Sequence, residues 1–481
     1  MEEPRPEIIS WLQEALAKQN SGNLGGALLT YRRVLSRDPG VADAWCNMGS
    51  VLHALGREEE ALEAFRRSLE LHPANPAAHT GLGGVLDAMG DPEGALSHIR
   101  EALALDPGNL VATSNLAGAL ARQGRLDEAL EADRAALAMR PESPELNLNL
   151  GFTLMRMGRL GEAEPLYLEA LRLGPGLAKA RWNLAYLRLL QGRYREAWPD
   201  FPARLEVPQG MDNLRGFGEP AWDGRPFPGR TLLVWVEQGL GDTLQFARYL
   251  PMARARGGRV VLQTYACIRD LLAAVPLADQ VLSEHDELPP FDLQAPLLDL
   301  PGLFGSTLAD LPPPVPLVPP AGHEPPEALR LKLAGGGRKA GLVWAGSPAH
   351  QDDARRSLDP ALLAPLAAVP GLRWHSLQVA PRAAPPLPLV DLAPHFRDFS
   401  DTAWAVARLD LVVTVDTAVA HLAGSMGVPT HLLLPFFPDW RWLMEGTSCP
   451  WYPSVRIHRQ PAPGAWAPVL EGLVRDLGHG S

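Results

Sequence analysis

Three runs in the carboxy-terminal half hold the side chains with most chemistry to offer. The first is Glu237-Gln238-Gly239-Leu240-Gly241-Asp242, which follows an apolar run and opens a helical one. A carboxylate there suits proton abstraction, so Asp242 is the first candidate for a general base and Glu237 the reserve. Gly239 and Gly241 let the backbone approach a ligand closely, and the start of the helix offers free amide groups. As a dinucleotide fingerprint the run is incomplete, because Leu244 stands where a third glycine belongs. Asp242 equally suits a plain helix cap.

The second run, Val413 to Gly424, places Asp416 and Thr417 between an apolar strand and a helix, with His421 one turn further on. Strand, acid, hydroxyl and helix in that order make an anion site, and Thr417 and His421 can face one ligand. The alternative is a capped helix with a hydrogen-bonded core histidine. The third run is Trp344-Ala345-Gly346-Ser347-Pro348-Ala349-His350, continuing to Arg355-Arg356-Ser357. Guanidinium groups match the paired oxygens of a phosphate, so Ser347, Arg355 and Arg356 are candidates for holding one. Near the end of the chain, Pro435 to Trp442 adds aromatic rings and Arg441, suited to stacking on a base and meeting a phosphate, or to core packing.

Alternating strands and helices must position these groups. Thr231–Val236, Arg259–Gln263, Ala340–Trp344, Trp374–Val379, Leu411–Val415 and His431–Leu434 read as strands, with helices over Asp242–Arg256, Asp359–Ala368, Ala403–Ala407, Thr417–Met426 and Pro468–Leu477. That order predicts parallel α/β sheets, which bind ligands at the carboxyl ends of their strands. The proline-rich run Leu311 to Pro320, followed by Gly335-Gly336-Gly337, divides the half into two Rossmann-like lobes, 231–335 and 336–481, facing across a cleft.

Residues 1–205 are organised differently. Prolines at 39, 73, 107, 141 and 175 recur every 34 residues, and glycines from Gly22 to Gly192 and alanines from Ala27 to Ala197 keep the same step over six copies. The proline stops the second helix of a unit, the glycine permits a left-handed turn after the first, and the alanine lets helices approach. The pattern resembles the tetratricopeptide repeat (TPR), which implies a stacked superhelix. Asn47, Asn115, Asn149 and Asn183 share one position of successive units, interrupted by Gly81. Such a ladder suits clamping the backbone of a bound protein segment; it also suits support of the repeat fold. Residues 206–230 form a joint, with Trp222 and Phe227 expected to pack on the next domain.

Composition narrows the function. A net charge of -11, with no local basic cluster, argues against a nucleic-acid surface. Three cysteines far apart encode neither a disulfide framework nor a zinc ribbon. The acidic Met1-Glu2-Glu3-Pro4 lacks a signal-peptide pattern and no stretch is apolar enough to span a membrane, so a cytoplasmic protein is expected.

Taken together, the EQGLGD, WAGSP with Arg-Ser, and VDTAVAHLAG motifs over residues 228–478 look like the transferase domain of bacterial TPR glycosyltransferases. The lobes are similar to those of family 9 heptosyltransferases, of the fold called GT-B. The resemblance implies a TPR superhelix followed by an α/β GT-B fold. It also implies Asp242 as catalytic base, donor contacts from Asp416, Thr417 and His421, and a closing helix that crosses back to the first lobe. Repeat and transferase fusions include enzymes of flagellin glycosylation and, with a similar asparagine ladder, the protein O-linked N-acetylglucosamine transferases. The expected activity is inverting transfer from a nucleotide-sugar to a hydroxyl of a protein acceptor, flagellin being one candidate. Neither a metal nor a resident cofactor is expected, since the second half has no Asp-x-Asp. Two rivals stand beside it: an inactive binding scaffold, and a transferase acting on lipid or polysaccharide.

Overall fold

The computed structural model describes residues 6–207, 215–349, 353–379 and 382–479. The chain divides into two compact units, Met1–Leu177 and Ala178–Ser481.

The first unit is an array of helix pairs: α1 (Pro6–Asn20) with α2 (Leu24–Arg37), α3 (Ala42–Ala54) with α4 (Glu58–Leu71), α5 (Pro76–Ala88) with α6 (Pro92–Leu105), α7 (Leu110–Arg122) with α8 (Leu126–Met139), and α9 (Pro144–Arg156) with α10 (Leu160–Leu173). Each repeat glycine does what its spacing predicts: Gly22, Gly56, Gly90, Gly124 and Gly158 have φ between 71° and 82°, where a side chain would be strained. The repeat alanines Ala27, Ala61, Ala95, Ala129 and Ala163 are fully buried where helices cross. Tyr31, Phe65 and Tyr167 fill the spaces between pairs. Trp45 is half-buried, and its indole N–H donates to Pro39 O at 2.9 Å. Helices α1, α3, α5, α7 and α9 touch in succession, so the first helices of the pairs share one face.

The second unit opens with α11 (Ala178–Leu190), a one-turn helix Tyr194–Ala197 and a 3-10 turn Phe201–Leu205. The sixth repeat therefore folds within this unit. Its aromatic residues explain why: Trp198 and Phe201 meet Trp440 edge-on, Tyr194 stacks on Trp451 at 5.9 Å, and Tyr186 reaches Phe437 at 6.3 Å. The joint also packs on the sheet, because Trp222 N donates to Gln294 O at 2.8 Å and the Trp222 ring meets Phe227 and Phe304.

Two parallel sheets follow. The first comprises β1 (Thr231–Trp235), β2 (Arg259–Thr264), β3 (Gln280–Ser283) and β4 (Leu293–Pro296), in the order β3-β2-β1-β4. The second comprises β5 (Arg338–Val343), β6 (Leu372–Ser376), β7 (Leu389–Asp391), β8 (Leu411–Val415), β9 (Thr430–Leu434) and β10 (Val455–Arg459), in the order β10-β9-β8-β5-β6-β7. Counted within its own lobe, the second order is the doubly wound 3-2-1-4-5-6 arrangement read from the other side. Strands β1 and β8 are almost wholly buried apolar runs, as strands covered on both faces must be.

Several elements differ from expectation. The helix expected over Asp242–Arg256 begins two residues earlier and breaks into Leu240–Phe246, a 3-10 turn Ala247–Tyr249 and Leu250–Arg254. Pro251, which has no amide proton to offer, stands in the first turn of the last piece. Gly239, not Asp242, is the cap residue. Asp359–Ala368 is a 3-10 helix over Pro360–Ala368 with Pro365 inside it. The closing helix, Trp466–His479, stays on the second lobe. Its face of Trp466, Val469, Leu470, Leu473 and Leu477 belongs to the core made with Leu342, Val413 and Leu433, so its main apolar side is engaged by the second lobe.

Candidate functional site

The two sheets bring their carboxyl ends to one place. Strand order reverses beside β1 in the first sheet and between β5 and β8 in the second. Open α/β sheets bind ligands in the crevice at such a switch point. The Glu237–Asp242 run leaves β1, the Trp344–Arg356 run leaves β5, and the Asp416–His421 run leaves β8. Val343 and Thr414 are register partners, so the latter two runs leave adjacent strands side by side.

Helix Leu240–Phe246 of the first lobe meets helix Ala418–Ser425 of the second. Gly241 is the point of closest approach. A methyl group added there would lie 2.6 Å from His421 Cδ2 and 3.5 Å from Ala418 Cα. Backbone and ring cannot both hold their places around it, so Gly241→Ala is expected to cost about 1–3 kcal/mol through overpacking. Chemical denaturation of the second unit measures that loss. A change within about 0.5 kcal/mol, the range of an ordinary surface substitution, would contradict the packing described.

Asp242 and Arg441 join the lobes directly. Arg441 donates to the Asp242 carboxylate and, at 2.7 Å, to Asp439 Oδ1. The guanidinium lies 4.7 Å from the Trp440 ring centroid and 5.2 Å from that of Phe246. Asp242 keeps 19% of its side chain exposed while that of Arg441 keeps 7%, so the acid is the more accessible member of the pair. Burial raises the pKa of Asp242 above the usual carboxylate range, and the Arg441 charge opposes that rise. Asp416, half-buried beside the same cluster, is pushed up to about 6 by burial and by the like charge of Asp439. Leu443, two residues after Arg441, is the non-glycine residue with positive φ, 58°, among those described. Strained backbone next to a hub of charges is a familiar mark of a working site.

Glu237 occupies a different setting. It is 3% exposed and accepts from Arg204, which also donates to Asp299 Oδ1 at 2.6 Å. Burial pushes its carboxyl up to about 7 against the pull of Arg204. Held in that pair, it anchors the end of β1, and Asp242 is the more exposed of the two acids.

Thr417 is the cap residue of helix Ala418–Ser425 but makes no side-chain cap bond; its hydroxyl meets that of Thr414 at 3.1 Å. His421 is buried, shares a hydrogen bond with the Tyr452 hydroxyl at 3.1 Å and stacks on Trp442 at 5.1 Å. Burial, helped by Arg441 and Arg248, drives its pKa well below the ordinary value, so the ring is neutral at pH 7 and acts by packing and hydrogen bonding. Trp440 and Trp442 are both fully buried, and the structure assigns them to the core.

In the third run Ser347 is exposed and Arg355 half-buried, while Arg356 lies flat on Gly346. Ser357 Oγ accepts from Gly346 N at 3.0 Å and donates to Asp353 Oδ1 at 2.8 Å, which fixes the loop. Arg356 Nε is buried and has no hydrogen-bond partner among the described residues. Gly239 is exposed at the lip of the first lobe. His350 lies outside the described residues.

On the array, Asn47, Asn115 and Asn149 are half-buried on α3, α7 and α9. Asn149 Nδ2 reaches Ser114 Oγ at 3.5 Å, and Asn115 Nδ2 lies beside Gly84 of α5. Asn183 sits in the second unit, buried, with Nδ2 lacking a partner among the described residues. Arg204, Asp299 and Asp439 sit in no motif of the sequence; their one signal is the charge inside the aromatic run Asp439-Trp440-Arg441-Trp442.

Comparison with known proteins bears on the helical half. Residues 11–132 match the model for the Cytochrome c-type biogenesis protein H TPR domain, and residues 148–201 match a tetratricopeptide repeat model. The helical array is built of tetratricopeptide repeats. Protein FlbA of Caulobacter vibrioides (strain ATCC 19089 / CIP 103742 / CB 15) is 27% identical over 285 residues, 52% of this chain and 46% of that protein, so the match spans about half of either. Among solved structures, a thermophilic TPR protein of Thermus thermophilus is 24% identical, with TM-score 0.35, covering 38% of this chain and 99% of that one. YrrB, a TPR protein with an unusual peptide-binding site, is 25% identical, with TM-score 0.30, covering 36% and 89%. Among the described residues, no helix is long and apolar enough to cross a membrane.

Proposed function

We propose that this chain is a glycosyltransferase of the GT-B kind, moving a sugar from a nucleotide-sugar to a hydroxyl of a protein captured by its repeats. The observation that carries the reading is the meeting of Gly241 and His421, which sets the carboxyl ends of two Rossmann-like sheets face to face with Asp242 beside them. The donor lies against the second lobe, its phosphates toward Thr417, the first turn of helix Ala418–Ser425 and Arg356, with Ser347, Arg355 and Asp416 at the rim. The acceptor hydroxyl enters from the first lobe past Gly239 and takes the place of Arg441 on Asp242. As its oxygen attacks the anomeric carbon, Asp242 receives the proton and the carbon–oxygen bond to the diphosphate breaks. Configuration inverts, because attack and departure are on opposite faces. The positive end of the helix and the Arg356 guanidinium take up the leaving charge, with no metal in the step.

The asparagines of the array hold the acceptor chain by its backbone amides, and proteins such as flagellin are the class in view. Replacing Asn115 and Asn149 together by alanine in the full chain is expected to raise KM for a protein acceptor about tenfold, at about 1.4 kcal/mol, while kcat stays within about twofold. Labelled-sugar transfer to a lysate of the source cell, followed by kinetics on the purified acceptor, tests this. Transfer to lipid or polysaccharide with no labelled protein would overturn the acceptor assignment.

A further inference from the structure

Outside the candidate site, one group of side chains among the described residues has the composition of a metal centre. His431 on β9, His458 on β10 and Asp476 on the closing helix each offer one ligand atom, and these atoms lie within 4.8 Å of one another. His431 Nδ1 and His458 Nε2 face each other at 2.9 Å, with the rings stacked at 5.2 Å. Asp476 Oδ2 stands 3.8 Å from His458 Nε2. Ligands of a tetrahedral zinc at ~2.0–2.1 Å must stand about 3.3 Å apart, so 2.9 and 3.8 Å fall on either side of what the ion requires.

We propose that His431, His458 and Asp476 bind one zinc ion, or a divalent transition metal of similar preference, with a fourth position left to water. Two imidazoles and a carboxylate are a ligand set that zinc favours over magnesium or calcium, which prefer oxygen. The three ligands come from three elements. β9 and β10 are parallel neighbours at the edge of the second sheet, with His431 paired to Arg456, so the two histidines project from the same side of adjacent strands. The closing helix lies over that side, since Leu433, two residues from His431, shares a core with its apolar face. A metal there ties the last helix to the sheet edge.

Arg456 is the nearest group that opposes the ion, with the charge of Arg338 also bearing on His431. Arg456 Nε pairs with Asp476 Oδ2 at 2.9 Å. Its side chain is 59% exposed, so it can swing into solvent when the carboxylate turns to a metal, and the exposed pair it gives up is weak. The bland use of the same residues is a histidine–histidine hydrogen bond under a surface ion pair. The inference does not depend on the transferase reading, since it uses none of the residues of the candidate site.

The test is titration of zinc into the chelator-stripped full chain by calorimetry, with cobalt as a spectroscopic probe. One equivalent is expected, with the visible absorption of four-coordinate cobalt. His431→Gln and His458→Gln should each abolish that site, and Asp476→Asn should weaken it at least tenfold. Arg456→Gln should tighten it, because a competing cation is gone; a purely structural ion pair would give no such gain. Circular dichroism of each variant establishes that it is folded, and the wild-type titration stands if one is not. Absence of a stoichiometric site in the wild type, or binding that survives the double histidine variant, overturns the proposal.

Discussion

Asp242→Asn is expected to lower kcat/KM for sugar transfer by about 10²- to 10⁴-fold, the usual contribution of a general base, while donor affinity changes less than threefold. The amide keeps the shape of the carboxylate but cannot accept a proton. Because burial raises the pKa of Asp242, the acid limb of the wild-type pH–rate profile should lie above the ordinary carboxylate range, with activity lost as pH falls through it. Arg441→Gln removes the cation that opposes the rise, so the limb should move to still higher pH. Steady-state kinetics on the three proteins decides. An Asp242→Asn enzyme of near wild-type rate would exclude Asp242, and equal loss of donor binding would make it a binding group.

The second large effect is in stability. Arg204 is 2% exposed and serves both Glu237 and Asp299, so Arg204→Met leaves two carboxylates without their partner. Breaking a buried pair from one side typically costs about 3–5 kcal/mol. The loss should shrink below pH 7, where Glu237 can take up a proton. In the wild type the sign is fixed by linkage. Glu237 has a folded pKa of about 7, above its unfolded value, so between the two the native state binds more protons than the unfolded one. Its contribution is present below the unfolded pKa and is lost as pH rises toward 7. Glu237→Gln should remove that slope from the variant, so the difference in stability between wild type and variant should carry it. Urea unfolding at several pH values measures both effects. A cost for Arg204→Met under about 1 kcal/mol at pH 7, well short of a broken buried pair, would show that the pair does not hold this end of β1.

How much of this was legible in the sequence depends on how locally each feature is determined. The repeats were plain because each glycine, alanine and proline answers a demand inside its own helix pair. Strands β1, β2, β5, β6, β8 and β9 were visible as apolar runs. β3, β4, β7 and β10 were not: three are four residues or fewer, and Val455–Arg459 alternates apolar residues with arginine and histidine at a sheet edge. The closing helix was misplaced because an apolar face tells that a helix packs, not on what. In the site, Asp242, Thr417 and His421 stood out through motif and helix position. Arg441 on Asp242 spans 199 positions and Arg204 on Glu237 spans 33. Such pairings follow from how the lobes close and leave no spacing to read. The same is true of His431, His458 and Asp476, whose separations match no compact metal motif.

The most direct test of the central claim is a binding titration of the full chain with UDP-, GDP-, ADP- and CMP-sugars, on wild type and on Arg356→Ala and His421→Ala. One nucleotide family is expected to bind and, at about a hundred times its dissociation constant, to stabilise the second unit by about 2.7 kcal/mol. Arg356→Ala should weaken that binding at least tenfold by removing a phosphate contact, and His421→Ala should weaken it by loosening the packing of helix Ala418–Ser425 against Gly241. No binding of any nucleotide-sugar by folded wild-type protein would contradict it, and would leave the repeat array as the working part of a scaffold.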